Sequence, residues 1–318
     1  MPTISGLFVY PVKSLKGIEL TTAQVGNAGA FLYDRHWLVV RESDGHFYTQ
    51  RQLPRMALVE TALPPEALLG EGWGNLGPDA ALTLSAHGVE PLQVPLEPAA
   101  DMPAMMKNVT CWGWSGIARD EGDEAAAWLS DFLRNPVRLV RYAGQPGAGS
   151  ADADPARRPI DPKWRRWGEG YEVAFPDQYP LLLLSEDSLG ALNERLDMPL
   201  PMNRFRPNIV VSGGSPFAED KWVYLRAGDL ELNLRKPCGR CKITTTNQTT
   251  AEVGQEPLRE LRSFRSGTLL KWIPEPWWRN EVYLGWHTVT WSRGALTVGD
   301  TITVTATRDP SDEFYGVH

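Results

Sequence analysis

Cys238 and Cys241 are separated by two residues in the run Lys236-Pro237-Cys238-Gly239-Arg240-Cys241, which leads into the hydroxyls Thr244-Thr245-Thr246. A Cys-x-x-Cys pair can be half of a zinc site, a redox disulfide, or the source of one soft metal ligand. A four-ligand structural zinc site needs a second Cys or His pair at matching spacing, and none follows. A thioredoxin-like pair opens a helix, whereas this one opens a β-rich Thr run. Arg240 and Lys242 put positive charge on either side of Cys241. Three readings stand side by side: one thiolate as a single metal ligand, a redox or sulfur-carrying pair without metal, and two structural thiols.

Four further runs carry chemistry-bearing side chains. Lys13 and Ser14, in Tyr10-Pro11-Val12-Lys13-Ser14-Leu15-Lys16-Gly17, can hold a phosphate or a carbonyl from a turn. Arg204, Arg206 and Asn208, in Arg204-Phe205-Arg206-Pro207-Asn208, put two guanidiniums and an amide just before a strand. That is an anion-facing edge or a solvated loop. Asp34-Arg35-His36-Trp37 opens an apolar stretch, as a site or as a salt bridge at a sheet edge. Thr49-Gln50-Arg51 is the fourth run, and each of the four is weak by itself.

The elements that must position these residues read as mostly β. Ile4 to Val9 is a strand, Gly17 to Val25 alternates with the strand period, and Asp34 to Arg41 is a strongly apolar strand. Ser43-Asp44-Gly45 turns the chain, His46 to Gln50 returns antiparallel, and Met56 to Thr61 continues the pattern. Residues 62 to 108 are loop-rich, with a strand-like piece at Ala81 to Ser85. Asp123 to Arg134 is a helix with Trp128, Leu129, Phe132 and Leu133 on one face, and Val137 to Tyr142 is a strand. Residues 143 to 170 lack apolar periodicity and read as a long Pro-, Gly- and Asp-rich loop. Leu181 to Leu184 is a buried strand, and Ser185 N-caps a helix running to about Arg195. Asn208 to Ser212, Trp222 to Leu225, Leu230 to Leu234, Cys241 to Thr246, Trp286 to Ser292 and Thr301 to Ala306 are strands, and Gln255 to Phe264 is helical.

Composition bounds the function. The chain has 318 residues, 42% hydrophobic and 22% charged, as expected of a globular protein with a proper core. Its net charge of -7 argues against nucleic acid as the main partner. Of the 32 cations, 24 are Arg, the better fork for phosphate or carboxylate. The cysteines are Cys111, Cys238 and Cys241. Three cannot build a disulfide framework or hold a four-thiolate iron–sulfur cluster. No run reaches 18 apolar residues and the N-terminus lacks a basic leader, so the expected location is cytoplasmic, without a transmembrane segment.

Taken in order, YPVKSLKG and DRHWLVV resemble the N-terminal β-barrel of MOSC proteins (molybdenum cofactor sulfurase C-terminal domain). LSEDSLGALNERL, FRPNIVVSG, PFAEDKW and KPCGRCKITTTN resemble the MOSC core, so the likeness covers about residues 1 to 306. It is similar above all to the mitochondrial amidoxime reducing component and its bacterial counterparts. The resemblance implies an α+β fold, mostly β: an N-terminal antiparallel β-barrel-like domain over 1–120 and a MOSC β-barrel domain with flanking helices over 121–318, without a C-terminal ferredoxin domain. It implies a molybdopterin-type molybdenum cofactor whose metal takes Cys241, with Cys238 structural or adjacent. Lys13, Ser14, Arg35, His36, Ser185, Arg206, Asn208 and Arg240 are the matching cofactor-binding positions, and Asn247 stands where the family often has Asp. The implied activity is reduction of N-hydroxylated compounds (amidoximes, hydroxylamines, N-hydroxylated bases) by oxygen-atom removal at molybdenum, with His36 a candidate proton donor. Electrons would come from a separate donor protein, ferredoxin, flavodoxin or cytochrome b5-like. The alternative is a non-catalytic protein that carries or sulfurates the cofactor.

Overall fold

The computed structural model describes residues 1–26, 29–69, 76–77, 79–97, 105–144, 158, 173–271, 278–290 and 292–309. Most of the expected loop at 143–170, and part of the loop-rich stretch 62–108, lie outside the described residues. In chain order the strands are β1 (Thr3–Val9), β2 (Ile18–Leu20), β3 (Thr22–Val25), β4 (Trp37–Arg41), β5 (Glu60–Ala62), β6 (Ala81–Ala86), β7 (Val89–Pro95), β8 (Met106–Cys111) and β9 (Trp114–Asp120). They continue as β10 (Val137–Tyr142), β11 (Leu181–Ser185), β12 (Ile209–Ser212), β13 (Trp222–Ala227), β14 (Leu230–Gly239), β15 (Tyr283–Val289), β16 (Gly294–Thr297) and β17 (Ile302–Thr307). Helices are fewer, the longest described being Asp123–Leu133, Glu186–Asn193 and Leu258–Phe264. The fold is mostly β with α, as the sequence predicts.

One eight-stranded sheet runs β17-β13-β14-β15-β11-β12-β1-β2. Its ladders are antiparallel except β11 with β12, where the helix Glu186–Asn193 makes the crossover that a parallel pair needs. β15 is buried along its whole length, which suits a strand covered on both faces. A four-stranded sheet, β4-β10-β9-β8, carries the second cluster of core residues, including Leu38, Val40, Val140 and Phe175. Cys111 belongs to that cluster, and burial pushes its thiol up, so it is a core residue.

Sheet membership does not follow a division at residue 120. β1 and β2 join the eight-stranded sheet through the β1–β12 ladder, while β10 pairs with β4 and β9 in the four-stranded one. The two halves of the chain therefore interlock. That interlock brings the turns at Tyr10–Ser14 and Asp34–His36 beside Arg206 and Asn208, which precede β12.

Met56 to Thr61 does not continue as a strand but winds into a 3-10 turn at Pro54–Leu58 before β5, where Pro54 opens the turn, and His46 to Gln50 makes only isolated bridges at His46 and Phe47. Two further expected strands differ because side chains compete with the backbone ladder. The Thr244 and Thr245 hydroxyls donate to the carbonyls of Cys241 and Lys242, both at 2.9 Å, and this stretch winds into a 3-10 turn at Lys242–Thr245. Asp34 accepts from Tyr10 N at 2.9 Å and from Asn208 Nδ2 at 3.0 Å, so Asp34 to His36 form a turn and β4 starts only at Trp37.

Ser185 does cap its helix, accepting from Asp187 N at 3.1 Å and Ser188 N at 3.4 Å. Ser185→Ala should cost about 1 kcal/mol of unfolding free energy, read by urea denaturation. An unchanged midpoint would mean that the two cap bonds do not stabilise the helix.

Glu219, 1% exposed, accepts from Ser188 Oγ at 2.8 Å, and burial pushes its carboxyl up to about 7. The folded chain then keeps a proton up to about pH 7 that the unfolded chain releases near the ordinary value of 4.5. Stability should therefore fall as pH rises through that window, by on the order of 3 kcal/mol. Glu219→Gln should flatten this slope in urea titrations at pH 5, 6 and 7.5. An unchanged slope would assign the pH dependence to other groups.

Candidate functional site

The turns and strand ends of the eight-stranded sheet surround one pocket with about 720 Å3 of atom-free space, its open mouth included. Lys13, Ser14, Arg35, Arg206, Asn208, Arg240 and Cys241 all line it, so seven of the nine residues singled out in the sequence converge here. Cys238 lines it as well.

His36 and Ser185 are the two that do not line it. His36 packs edge-on against Trp37 and Tyr142, at ring-centre distances of 5.0 and 6.1 Å. Burial, helped by the Arg141 charge, lowers its pKa to about 3. At neutral pH it is an uncharged core imidazole and cannot serve the pocket as an imidazolium proton donor. Ser185 is the helix cap described above.

Asp34 is the hub that organises one wall. Its carboxylate pairs with Arg35 while also taking the Tyr10 and Asn208 donors. Asn208 Oδ1 accepts from Arg35 Nη1 at 2.8 Å and Leu182 N at 3.2 Å, and its Nδ2 also donates to Phe8 O at 3.1 Å. All of its amide capacity is engaged inside the protein. Asn208 thus orients Arg35 instead of offering donors to a ligand. The guanidiniums of Arg35 and Arg206 both stack on Tyr10, at 4.5 and 4.3 Å from the ring centre. Burial pushes the Tyr10 phenol up to about 12, so it stays protonated.

Three pocket residues sit in left-handed backbone without being glycine: Ser14 (φ 69°), Arg35 (φ 47°) and Arg206 (φ 54°). Each such residue costs on the order of 1–3 kcal/mol and persists where the surroundings enforce it, commonly at ligand sites.

The electrostatics point to an anion. Among the described residues, Lys13, Arg35, Arg204, Arg206 and Arg240 line the pocket, against the single carboxylate of Asp177. Asp177 is exposed on one side, and desolvation at the pocket wall opposes its ionisation, but the Lys13 ion pair outweighs this, helped by Arg51 and the Trp112 N–H, and holds it below the usual carboxylate range. Burial lowers Arg206 to about 10, and it remains a cation at neutral pH. Arg206 Nη2 and Arg240 Nε are buried without a hydrogen-bond partner. A buried unpaired donor costs about 1–3 kcal/mol, more when charged, and an anionic ligand would remove that cost.

Cys241 is half-buried on the same wall, while Cys238 is buried beside it and accepts from Arg240 Nη1 at 3.1 Å. Burial pushes the Cys238 thiol up, so Cys241 is the available sulfur donor. Among the described residues no three His, Cys, Asp or Glu side chains group as a metal cage. The protein's offer is one soft donor beside a basic pocket. That suits a metal whose other ligands arrive on an anionic organic group.

Three participants were not assigned from the sequence. Asp177 and His287 line the pocket from segments without any motif, and nothing in their neighbouring residues signalled them. Arg51 Nη2 lies 2.9 Å from Cys241 Sγ. Its run, Thr49-Gln50-Arg51, was visible but had no chemical context until the fold supplied Cys241.

Comparison with known proteins identifies the family. Residues 1–136 match the MOSC N-terminal beta barrel domain and residues 170–303 the MOSC domain. Mitochondrial amidoxime-reducing component 1 of Xenopus laevis is 34% identical over 94% of this chain and 81% of its own length. Mitochondrial amidoxime reducing component 2 of Bos taurus is 35% identical over 83% of this chain and 72% of its own. The solved YUAD protein of Bacillus subtilis covers 95% of this chain and 94% of its own at 10% identity, with a TM-score of 0.34, too low to bear on the fold. On the two domain matches and the identity to full-length relatives, this chain belongs to the MOSC-domain family of amidoxime-reducing components.

Proposed function

We propose that the chain binds a molybdopterin-type molybdenum cofactor in the basic pocket, with Cys241 as the protein ligand to the metal, and reduces N-hydroxylated compounds such as amidoximes. The observation that carries this reading is the set of five cations and one carboxylate, among the described residues, around a half-buried thiol. The names of the relatives, amidoxime-reducing components, supply the substrate class.

Arg206 and Arg240, with their unpaired N–H groups, would hold the anionic part of the cofactor. Arg35 and Lys13 would add charge from the opposite turns, each fixed in place by a carboxylate partner. Ser14 and Thr244 would supply hydroxyls at the pocket wall. When bound, the molybdenum centre supplies two-electron removal of oxygen from nitrogen. The net change takes an N-hydroxy group, two electrons and two protons to the N–H product and water, with the electrons drawn from a separate donor protein. His36 and Asp177 are poor sources of those protons, one being a neutral core imidazole and the other a carboxylate held ionised. Among the described residues no helix is long and apolar enough to cross a membrane.

Benzamidoxime, with an artificial electron donor, tests the reading on protein isolated from a cofactor-competent host. Benzamidine formation is expected. Protein that forms none, yet passes its cofactor readily to an apo-acceptor enzyme, would be a carrier and not a reductase.

A further inference from the structure

Arg51 is not among the pocket-lining side chains, yet its Nη2 reaches across 190 residues of sequence to within 2.9 Å of Cys241 Sγ. The contact is built from both sides. The Arg51 turn is closed locally, Thr49 N and Oγ1 donating to Gln52 Oε1 at 3.1 and 2.8 Å, and Arg51 N donating to Thr49 Oγ1 at 3.2 Å. Next to Arg51, Gln50 and Gln248 form a reciprocal amide pair, with N–H···O distances of 3.0 and 2.8 Å. Both are buried, Gln50 completely. Gln50 also donates to Ser14 O at 2.8 Å, and Gln248 to Thr246 O at 3.0 Å. The pair therefore clamps the Arg51 turn onto two pieces of the pocket: the Ser14 turn and the end of the Thr run that follows Cys241.

The guanidinium is held on its flat side as well. It stacks 4.6 Å from the centre of the Trp112 ring. Trp112 sits in left-handed backbone (φ 56°) and donates its indole N–H to Asp177 at 3.1 Å. A buried amide clamp, a stacked ring and a carboxylate all fix one arginine so that it meets one sulfur. Such preorganisation exceeds what a surface arginine needs.

We propose that Arg51 is a positioning residue for the metal ligand: its N–H···S hydrogen bond orients the Cys241 sulfur and draws electron density from it, so that a bound molybdenum is easier to reduce. This rests on the reading of Cys241 as the ligand. The physical basis is that hydrogen bonds to a ligating sulfur weaken its donation and raise the reduction potential of the centre. A point charge does not replace the effect, because a lysine has neither the fork nor the flat face that Trp112 holds.

The test compares full-length wild type, Arg51→Gln and Arg51→Lys, all isolated from a cofactor-competent host. Each is measured for molybdenum content, the midpoint potential of the metal, and steady-state reduction of benzamidoxime. Both variants should keep their molybdenum while the midpoint potential moves negative, further for Gln than for Lys. In Arg51→Gln, kcat should fall roughly 10- to 100-fold, with KM nearly unchanged. A wild-type potential in Arg51→Gln would overturn the proposal. So would a loss confined to KM, which would mark Arg51 as a substrate contact.

Should wild type hold no molybdenum, the proposed function fails, and the Arg51 contact is judged on the metal-free chain. There the iodoacetamide reaction at Cys241 should be several-fold slower in Arg51→Gln, since a cation beside a sulfur promotes its alkylation. An unchanged or faster reaction would overturn the contact itself. Arg51→Lys covers the case in which the Gln variant does not fold.

Discussion

Cys241→Ser is expected to fold as the wild type does and to lose its molybdenum. Serine keeps nearly the same volume at a half-buried position, so packing changes little. What is lost is the more exposed of the two thiols that line the pocket. Changes to groups that merely support a metal ligand cost roughly 10- to 100-fold in affinity or activity. Removing the ligand itself should cost at least that, leaving under about a tenth of the wild-type metal after gel filtration and no detectable benzamidoxime reduction. Cys238→Ser should behave differently. That thiol is buried and accepts a hydrogen bond from Arg240, so its loss disturbs the wall without removing a ligand. If Cys241→Ser retained wild-type molybdenum while Cys238→Ser lost it, the ligand assignment would be reversed.

Asp220→Ala carries the largest expected effect on stability. Asp220 accepts from Arg265 Nη1 at 2.6 Å, Arg265 Nη2 at 3.1 Å and Trp286 Nε1 at 2.9 Å. Arg265 is buried and also donates to Tyr283 O at 3.0 Å, and both Trp286 and Tyr283 belong to the fully buried β15. Removing the carboxylate leaves a buried guanidinium without its counter-charge, which costs about 3–5 kcal/mol. Urea denaturation should show a loss of that order. Replacing both partners by apolar residues of similar volume should recover part of it, because the desolvation cost of the charge then disappears. A loss below about 1 kcal/mol would mean that water reaches the pair as it does at a surface.

Local pattern carried much of the fold into view. The buried runs Leu181–Leu184 and Val137–Tyr142, the Ser185 cap and the helix beginning at Asp123 all depend on near neighbours, and the structure places them as expected. Where the expectation missed, a distant or polar partner decided the outcome. The Thr run reads as strand from β propensity, yet its hydroxyls bond to carbonyls three residues back and wind it into a turn. β10 follows a helix in sequence but closes a sheet begun at β4, a pairing across about a hundred residues that no window can show.

The site was legible to a similar degree. Most of its cations lie in compact motifs, so Lys13, Arg35, Arg206 and Arg240 could be named before their convergence was visible. Asn208 was visible too, but its role as the strut of Arg35 depends on Asp34 and on Leu182, far apart in sequence. His36 adjoins Arg35 in the sequence but packs in the core, because adjacent residues in a turn face different surroundings. Arg51 and Asp177 become meaningful only through Cys241 and Lys13, respectively 190 and 164 residues away in the sequence.

The central claim is that the basic pocket holds a molybdenum cofactor through Cys241. Elemental analysis of wild-type protein from a cofactor-competent host tests it most directly. The account predicts about one molybdenum per chain, as for a dedicated high-affinity site, released together with an organic phosphate on denaturation. Protein with no molybdenum above background from that host would contradict it.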